Sequence, residues 1–292
     1  MVDTEKKALI KKILAQSYIW ILLLIMYAPI LVLVVFSFTN TDVLGTWNGF
    51  TFDLYIKLFQ NEDIMKAVGN TVIIALVSSS IATILGTLGA IGVYESKKHA
   101  KRTMEMANQI PVVTPEIVIA LSLTVMFVFI RQYIFKDLSF SFWTLLIGHL
   151  VLSTPFVYLN VKPKLEQMDP ALYEAALDLG CSPSKALFKT TLPEIAPGVL
   201  SGFLIAITLS LDDFIVTAFT AGPGLLNGAS KISTISTYVQ GVIKKHPLPP
   251  ELRALCTLIF LLVVIVVFAL IFLNKKKRGT RSGRHAKARL KL

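Results

Sequence analysis

Charged residues are scarce in this chain. They make up 16% of its 292 residues, whereas charged residues account for about a quarter of a typical soluble domain. Hydrophobic residues make up 54% of the chain, and its mean hydropathy is +0.67. A soluble globular domain is therefore excluded, and the composition predicts a membrane protein.

Cysteine is rare, and recognisable catalytic motifs are missing. Cys181 lies in a polar segment and Cys256 in an apolar run, so no disulfide framework is predicted. His149 has no second His or Cys at ligand spacing, and beside Ser153 and Thr154 it is interpreted as a hydrogen-bonded helix contact. Nucleotide-binding loops, nucleophile–base pairs and catalytic carboxylate pairs are missing from the sequence. We therefore expect no metal site, no cofactor and no enzymatic activity in this polypeptide.

Long apolar runs are abundant. Six of them have about the 20 residues that a helix needs to cross a bilayer. They are Tyr18–Phe38, Val68–Tyr94, Ile110–Ile130, Phe142–Val161, Ala196–Thr220 and Leu255–Leu273. Backbone N–H and C=O groups in hydrocarbon must be paired within their own segment, so each run is predicted to be helical. The predicted fold class is all-α, a polytopic transmembrane helical bundle with six spans.

The basic residues predict the orientation of the bundle. With a cytoplasmic N-terminus, 21 of the 29 Lys and Arg residues fall on the inner side and eight on the outer side. Because inner segments of membrane proteins are enriched in Lys and Arg, both termini are predicted to lie in the cytoplasm. The basic tail at 274–292 is assigned to anionic lipid headgroups rather than to nucleic acid.

Domain boundaries follow from the apolar runs. We predict a basic amphipathic lead-in at 1–16, the first span with an outer loop at 17–67, and a transmembrane domain at 68–273. A cytoplasmic loop at 163–193 lies within the transmembrane domain, and the basic tail occupies 274–292. The first run leads into SFTNTD without a small-residue cleavage pattern, so an uncleaved helix is predicted rather than a signal peptide.

Glycines recur every third residue in the second run. Gly86, Gly89 and Gly92 lie along one side of a helix and would let a second backbone approach closely. They are interpreted as a packing face. A dinucleotide-binding fingerprint is excluded because no strand precedes them.

Three acidic residues lie within the predicted spans or at their entry. Glu116 follows Pro111 and Pro115 in the third run, and Asp212 and Asp213 lie in the outer part of the fifth. Carboxylates within a membrane are costly and mark a pathway or a buried pair. Adjacent residues point about 100° apart on a helix, so the two aspartates cannot both face one surface. We predict a functional role for at least one of them, the alternative being a polar contact that closes the bundle.

A polar insert at 169–193 separates the fourth and fifth runs. Asp169 and the proline after it are typical of a helix start, and Gly180 is typical of a helix end in the left-handed conformation. Ser182, with its own following proline, repeats the start signal. The second helix is predicted to run on until Pro193. The insert is thus predicted to be two short helices joined by a tight turn.

The polar insert carries a spaced motif. Glu174-Ala175-Ala176 is followed after three residues by Gly180, and after eleven more by Leu192-Pro193. This pattern resembles the EAA loop of binding-protein-dependent ABC import permeases, in which EAA, Gly and Leu-Pro have the same spacing. Thr190 departs from the family pattern, which has an aliphatic residue there. The chain is similar over about residues 15–273 to the second permease subunit of spermidine/putrescine importers.

The resemblance implies the type I ABC importer permease fold. It also implies four kinds of partner: a homologous second permease subunit, a dimer of ABC ATPase subunits, an external polyamine-binding protein and the lipid bilayer. Nucleic acid is not among them. The insert would couple the bundle to the ATPase, which would carry out all ATP hydrolysis. The coupling residues would be Tyr173, Glu174, Ala175, Ala176, Gly180, Leu187, Leu192 and Pro193.

The predicted function is ATP-driven import of polyamines delivered by the binding protein, through alternating access. Polyamines are polycations, so Glu116, Asp212 and Asp213 are the candidates for the substrate path. A permease for another small solute, such as thiamine, ferric iron or an organic anion, is the first alternative, although acids in the spans favour a cation. The second is a secondary transporter without an ATPase, in which the insert would have no role.

Overall fold

Helices account for the regular structure of the described residues. The computed structural model describes residues 2–41, 45–136, 139–221, 232–243, 249–265 and 268. One π-helical turn, Leu187–Thr191, joins two of the helices. The helices are α1 (Val2–Phe36), α2 (Asp53–Gln60), α3 (Glu62–Tyr94), α4 (Lys98–Val113), α5 (Glu116–Tyr133), α6 (Phe142–Gln167), α7 (Pro170–Asp178), α8 (Pro183–Ala186), α9 (Leu192–Asp212), α10 (Ile215–Thr220), α11 (Ile235–Ile243) and α12 (251–265). The predicted all-α fold is confirmed.

Five helices in the described part of the chain are long and apolar enough to cross a membrane. Their apolar side chains can face lipid or neighbouring helices, while the backbone groups are paired within each helix. They are Gln16–Phe36, Glu62–Tyr94, Glu116–Tyr133, Phe142–Gln167 and Pro183–Asp212. The sixth predicted span, 255–273, begins within α12, and its later part lies outside the described residues.

The third predicted span is broken. α4 ends at Val113, Thr114 and Pro115 are extended, and α5 begins at Glu116. Proline lacks an N–H and disfavours helical geometry in the residue before it, so this pair ends one helix and precedes the next. The sequence predicted loosened first turns in one span. The structure instead has two helices with a full break between them.

The fifth predicted span is also broken. α9 ends at Asp212, the backbone of Asp213 is extended with ψ of 125°, and α10 begins at Ile215. The prediction of one continuous helix over 196–220 is therefore wrong at residues 213–214. The apolar pattern on both sides of the break is unbroken, which is why the sequence pattern did not reveal it.

Glycines allow α3 and α9 to approach α6 closely. Val157 of α6 is fully buried, and a Cβ added at Gly86 of α3 would come within 2.7 Å of its side chain. A Cβ at Gly202 of α9 would come within 3.1 Å of the same residue. Close backbone approach through small residues stabilises helix pairs in membranes. The predicted packing face is confirmed at Gly86 only, because no described atom lies within 4 Å of a Cβ at Gly89 or Gly92.

The chain divides into two compact units, residues 1–62 with 246–292 and residues 63–245. In the first unit, the rings of Phe38 and Phe50 stack with centroids 5.2 Å apart. The Arg253 guanidinium in the same unit donates a hydrogen bond to the Thr41 carbonyl at 2.9 Å. The second unit contains the polar insert and the three acidic residues, so the candidate site lies within it.

Candidate functional site

The polar insert begins with α7, and its start is defined by local hydrogen bonding as predicted. Asp169 Oδ1 accepts a hydrogen bond from the backbone N–H of Ala171 at 3.0 Å. Pro170 occupies the first turn, where a missing N–H has no cost. α7, which the structure describes completely, buries none of its side chains. Local signals therefore account for this helix, and burial contributes little.

Gly180 ends α7 in the left-handed conformation, with φ of +83°. The backbone N–H of Gly180 donates to the Leu177 carbonyl at 2.8 Å, and that of Cys181 donates to the Ala176 carbonyl at 3.1 Å. These two bonds form a Schellman motif. No described atom lies within 4 Å of a Cβ built at Gly180. Backbone conformation, and not space, therefore requires glycine here, and the predicted turn is confirmed.

The second half of the insert differs from the prediction. Ser182 makes no side-chain capping bond to the described residues, and the helix does not end at Pro193. α8 continues through the π-helical turn, where the Leu192 N–H donates to the carbonyl of Leu187, into α9. Residues 183–212 therefore form one helical segment. The wider π turn lies directly before the proline, whose ring and missing N–H disturb a regular α-helix.

Some of the predicted coupling residues line a groove, and the others do not. A groove of about 670 Å³ lies between the insert and the adjoining ends of α3 and α6, and Tyr173, Glu174 and Leu187 contribute to its lining. The other predicted residues lie at the turn or along the helices. Ala175, Gly180 and Pro193 are exposed, and Ala176 and Leu192 are half-buried.

Three large apolar side chains of the insert project away from the chain. Leu172 is 45% exposed, Phe188 66% and Leu179 86%. Large exposed apolar side chains beside a membrane can contact another protein or the lipid. The sequence analysis did not single out Leu172 or Leu179. Their position beside the EAA motif was visible, but their exposure depends on the fold.

Asp213 is buried at the break between α9 and α10. The residue is 5% exposed, and its carboxylate accepts hydrogen bonds from the backbone N–H of Val216 at 3.1 Å and of Thr217 at 2.8 Å. The Thr217 hydroxyl donates a further bond of 2.8 Å. The carboxylate thus satisfies the free N–H groups at the start of α10, which have no partners within the helix.

Asp212 and Glu116 lie at the two helix breaks with their side chains exposed. Asp212 is the last residue of α9, and Glu116 is the first of α5. Ala120, one turn after Glu116 in α5, and Val216, three residues after Asp213, belong to one buried apolar cluster, so Glu116 lies beside the break that holds the two aspartates. We call Glu116, Asp212 and Asp213 the acidic cluster. The fold therefore brings Glu116, which the sequence had placed in the third span, to the two aspartates of the fifth.

His149 of α6 contacts the same break. Its Nδ1 atom shares a hydrogen bond of 2.9 Å with the Ser210 hydroxyl, and its Nε2 atom one of 3.0 Å with the Thr217 hydroxyl. The interpretation of His149 as a hydrogen-bonded helix contact is therefore confirmed. Ser210 and Thr217 were missed by the sequence analysis, because single hydroxyl residues are common in apolar helices and carry no pattern.

Among the described residues, no group of three His, Cys, Asp or Glu side chains converges as metal ligands would. The acidic cluster provides negative charge next to two interrupted helices, and the insert provides an exposed apolar and acidic surface. The first arrangement can bind a cation, and the second can dock a soluble protein. Together with the five candidate spans, these features describe a polytopic membrane protein with a charged site at its helix breaks.

The chain belongs to the family described as binding-protein-dependent transport system inner membrane component, whose model matches residues 82–278. It is therefore a multi-pass inner-membrane transport component and not an enzyme. It is 32% identical to the putrescine transport system permease protein PotI of Escherichia coli K12, over 88% of this chain and 89% of that protein. It is 31% identical to the spermidine/putrescine transport system permease protein PotC of the same strain, over 93% and 98%.

Solved structures confirm the permease fold. A bacterial alginate ABC transporter, solved in complex with an alginate pentasaccharide-bound periplasmic protein, contains a chain that matches with a TM-score of 0.66 and 21% identity. The match covers 92% of this chain and 94% of the other. At that identity the match concerns the fold alone.

Proposed function

We propose that this chain is one of two permease subunits of an ATP-driven importer of polyamines. The observation that carries the proposal is the acidic cluster, which lies at the breaks of two membrane-spanning segments. Interrupted membrane helices and intramembrane carboxylates are typical of substrate paths. A path for flexible polycations needs negative charge, and the similarity to PotI and PotC supports the same substrate class.

Within the cluster, the three carboxylates are expected to differ in role. Asp212 and Glu116 have exposed side chains in this chain, so they are the carboxylates that a passing ammonium group can reach. The Asp213 carboxylate already accepts three hydrogen bonds. It is therefore expected to contribute to the path through its negative charge, which adds to the charges of Asp212 and Glu116.

The polar insert is proposed to dock into the ATPase dimer and to transmit its movement. Exposed Leu172, Leu179 and Phe188 would provide the apolar contact, and exposed Glu174 an acidic one. The continuous helical segment at 183–212 supports this role, because a movement of the insert would be transmitted along one helical segment to Asp212. The transporter would further contain the homologous second permease and an external polyamine-binding protein. The insert and both termini would lie in the cytoplasm.

Uptake by the reconstituted transporter tests this proposal. The complete complex, with its ATPase, second permease and binding protein, is placed in proteoliposomes, and uptake of labelled spermidine and putrescine is measured with and without ATP. We expect ATP-dependent uptake of a polyamine. Asp212→Asn and Glu116→Gln are expected to raise the half-saturating polyamine concentration about tenfold each, as for loss of one charged contact.

Asp63→Asn is the matched control, since Asp63 is an exposed carboxylate in the first turn of α3, a helix that contains neither break. It should leave uptake unchanged. Uptake of a different solute, with none for either polyamine, would refute the substrate class. Uptake that continues without ATP would refute the coupling to an ATPase and favour a secondary transporter.

A further inference from the structure

A chain of buried hydrogen bonds connects four helices to the break in the fifth span. Ser78 of α3 lies 3.1 Å from Ser210 of α9, and Ser210 lies 2.9 Å from Nδ1 of His149 in α6. Nε2 of His149 lies 3.0 Å from the Thr217 hydroxyl of α10, which donates to Asp213 at 2.8 Å. All five side chains are at least nine-tenths buried. We call this the hydrogen-bond chain.

The Asp213 carboxylate at the end of the hydrogen-bond chain determines which ring nitrogen of His149 carries a hydrogen. Thr217 has one hydroxyl proton, and it donates that proton to Asp213 Oδ2. The Thr217 oxygen can therefore only accept from His149, so Nε2 must carry a hydrogen. The same ring nitrogen lies 3.7 Å from Asp213 Oδ2. His149 is thus a donor aimed at the Thr217–Asp213 pair.

The helix break depends on that pair. The Asp213 carboxylate accepts the free N–H groups of Val216 and Thr217 at the beginning of α10. In an apolar interior such groups cannot turn to water, so the position of this carboxylate determines where α10 begins. His149 holds Thr217 from the neighbouring helix, and through it the carboxylate.

The residue before His149 provides the space for this contact. A Cβ at Gly148 would lie 2.7 Å from the Val216 side chain and 3.1 Å from the Thr220 hydroxyl. α10 therefore rests directly against the backbone of α6 at this point. Gly148 permits the approach, and His149 makes the polar contact. Together they fix the packing of α10 against α6.

We propose that His149 is a positioning residue of the substrate path: it fixes the break after α9 and thereby the place of the exposed Asp212 carboxylate. This inference rests on the proposed function, in which Asp212 meets a polycationic substrate. His149 touches no substrate in this role. It acts through Thr217 and Asp213 on the residue at the end of α9.

Two near-isosteric variants distinguish the hydrogen bond made by Nδ1 of His149 from the one made by Nε2. The side-chain amide of His149→Gln can place a donor near Nε2 and keep the bond to Thr217. His149→Asn can keep a group near Nδ1 for Ser210 but reaches Thr217 less well. Ser153→Ala is the control, because Ser153 lies one turn further on the same helix, is fully buried, and has an Oγ with no hydrogen-bond partner among the described residues.

In polyamine uptake by the complete transporter, His149→Asn is expected to raise the half-saturating concentration about tenfold, the effect of one lost buried hydrogen bond. His149→Gln and Ser153→Ala should stay within about twofold of the parent, a change too small for a lost bond. Combined with Asp212→Asn, His149→Asn should add no further rise, since both changes remove the same contact. If the effects of His149→Asn and Asp212→Asn multiply, the two changes are independent and the inference is refuted. Equal effects of His149→Asn and His149→Gln would refute it as well.

A second measurement does not depend on the substrate. Cys181 and Cys256 are replaced by Ser, Asp212→Cys introduces a single thiol, and its labelling rate by a small membrane-permeant reagent is measured in the assembled transporter. His149→Asn should change this rate about fivefold or more, as expected when a buried hydrogen bond is lost, and His149→Gln should not. An unchanged rate would refute the positioning role. A changed labelling rate, together with a parent transporter that takes up no polyamine, would refute the proposed substrate and leave the positioning role standing.

Discussion

The polar insert and the break after Asp212 are both interruptions of an apolar chain, but they are built differently. The insert is defined by contacts within a few residues: the Asp169 cap and the Schellman motif at Gly180. The break has a local cap as well, from Asp213 to Val216 and Thr217, but this cap is held by a contact between distant parts of the chain, since His149 and Thr217 are 68 residues apart. The comparison teaches that an exposed interruption can rely on local signals. An interruption within the membrane needs partners from other helices for its polar groups.

The sharpest test of this difference replaces one aspartate at a time. Asp213→Ala leaves two backbone N–H groups and one hydroxyl without their acceptor. We expect it to destabilise the transporter by about 3 kcal/mol, because these groups are buried. The measurement is the melting temperature of the purified transporter in detergent, together with the amount recovered from membranes.

Asp212→Ala is the matched control for stability. The two residues are adjacent and chemically identical, but the Asp212 side chain is exposed at the helix end. A shift equivalent to less than about 0.5 kcal/mol is expected. Equal melting temperatures for the two variants would mean that Asp213 does not stabilise the break.

A second test compares glycines of the bundle. Gly86→Ala would place a Cβ 2.7 Å from the buried Val157 side chain, whereas at Gly89 no described atom lies within 4 Å of such a Cβ. Overpacking between α3 and α6 is expected to cost about 2 kcal/mol. Gly89→Ala should be neutral or stabilise α3 slightly, by up to about 1 kcal/mol. The melting temperatures of both variants measure the difference, and a similar fall for both would refute the contact at Gly86.

The third and smallest expected effect concerns Gly180 of the insert. Its φ of +83° is strained for residues other than glycine, although asparagine tolerates it better than alanine. Gly180→Ala should cost about 1 kcal/mol in the docked geometry and lower the affinity for the ATPase subunits about fivefold. The melting temperature of the permease should stay unchanged, because α7 buries none of its own side chains.

Titration of ATPase binding to the purified permease pair checks this prediction. Gly180→Asn serves as the partial rescue and should recover much of the affinity lost in Gly180→Ala. If both variants bind the ATPase as the parent does, the turn is not required for coupling. A large fall in melting temperature would instead assign Gly180 to the stability of the bundle.

Most of the insert could be predicted from the sequence, and the exception is instructive. Asp169, Pro170 and Gly180 act on neighbours within two to five positions, so their effects are readable along the chain. Pro193 was predicted to end a helix, but the π-helical turn before it lets the helix continue. Residues on both sides pack in the bundle, as fully buried Ala186 and Ile195 do. That packing favours continuation over the local proline signal.

The helix breaks could be predicted only in part. Pro111 and Pro115 indicated a disturbance in the third span, and the break was found at Pro115. In the fifth span, the sequence indicated that Asp212 and Asp213 face different surfaces, but neither which of them is buried nor the break could be derived. An aspartate in an apolar run is compatible with a pathway, a buried pair or a cap. The choice between them depends on which donors the other helices bring to it.

The sequence by itself determined the membrane class, the helical fold, the family motif and the turn of the insert. Apolar runs of spanning length must be helical, and short-range hydrogen bonds act within neighbouring residues. The tertiary structure alone decided that α9 ends at Asp212, that Asp213 is buried as the cap of α10, and that Glu116 of α5 lies beside the same break. The physical reason is that buried polar groups must find partners. Asp213 finds Thr217 four residues along the chain, but Thr217 is held in place by His149, which only folding brings to it.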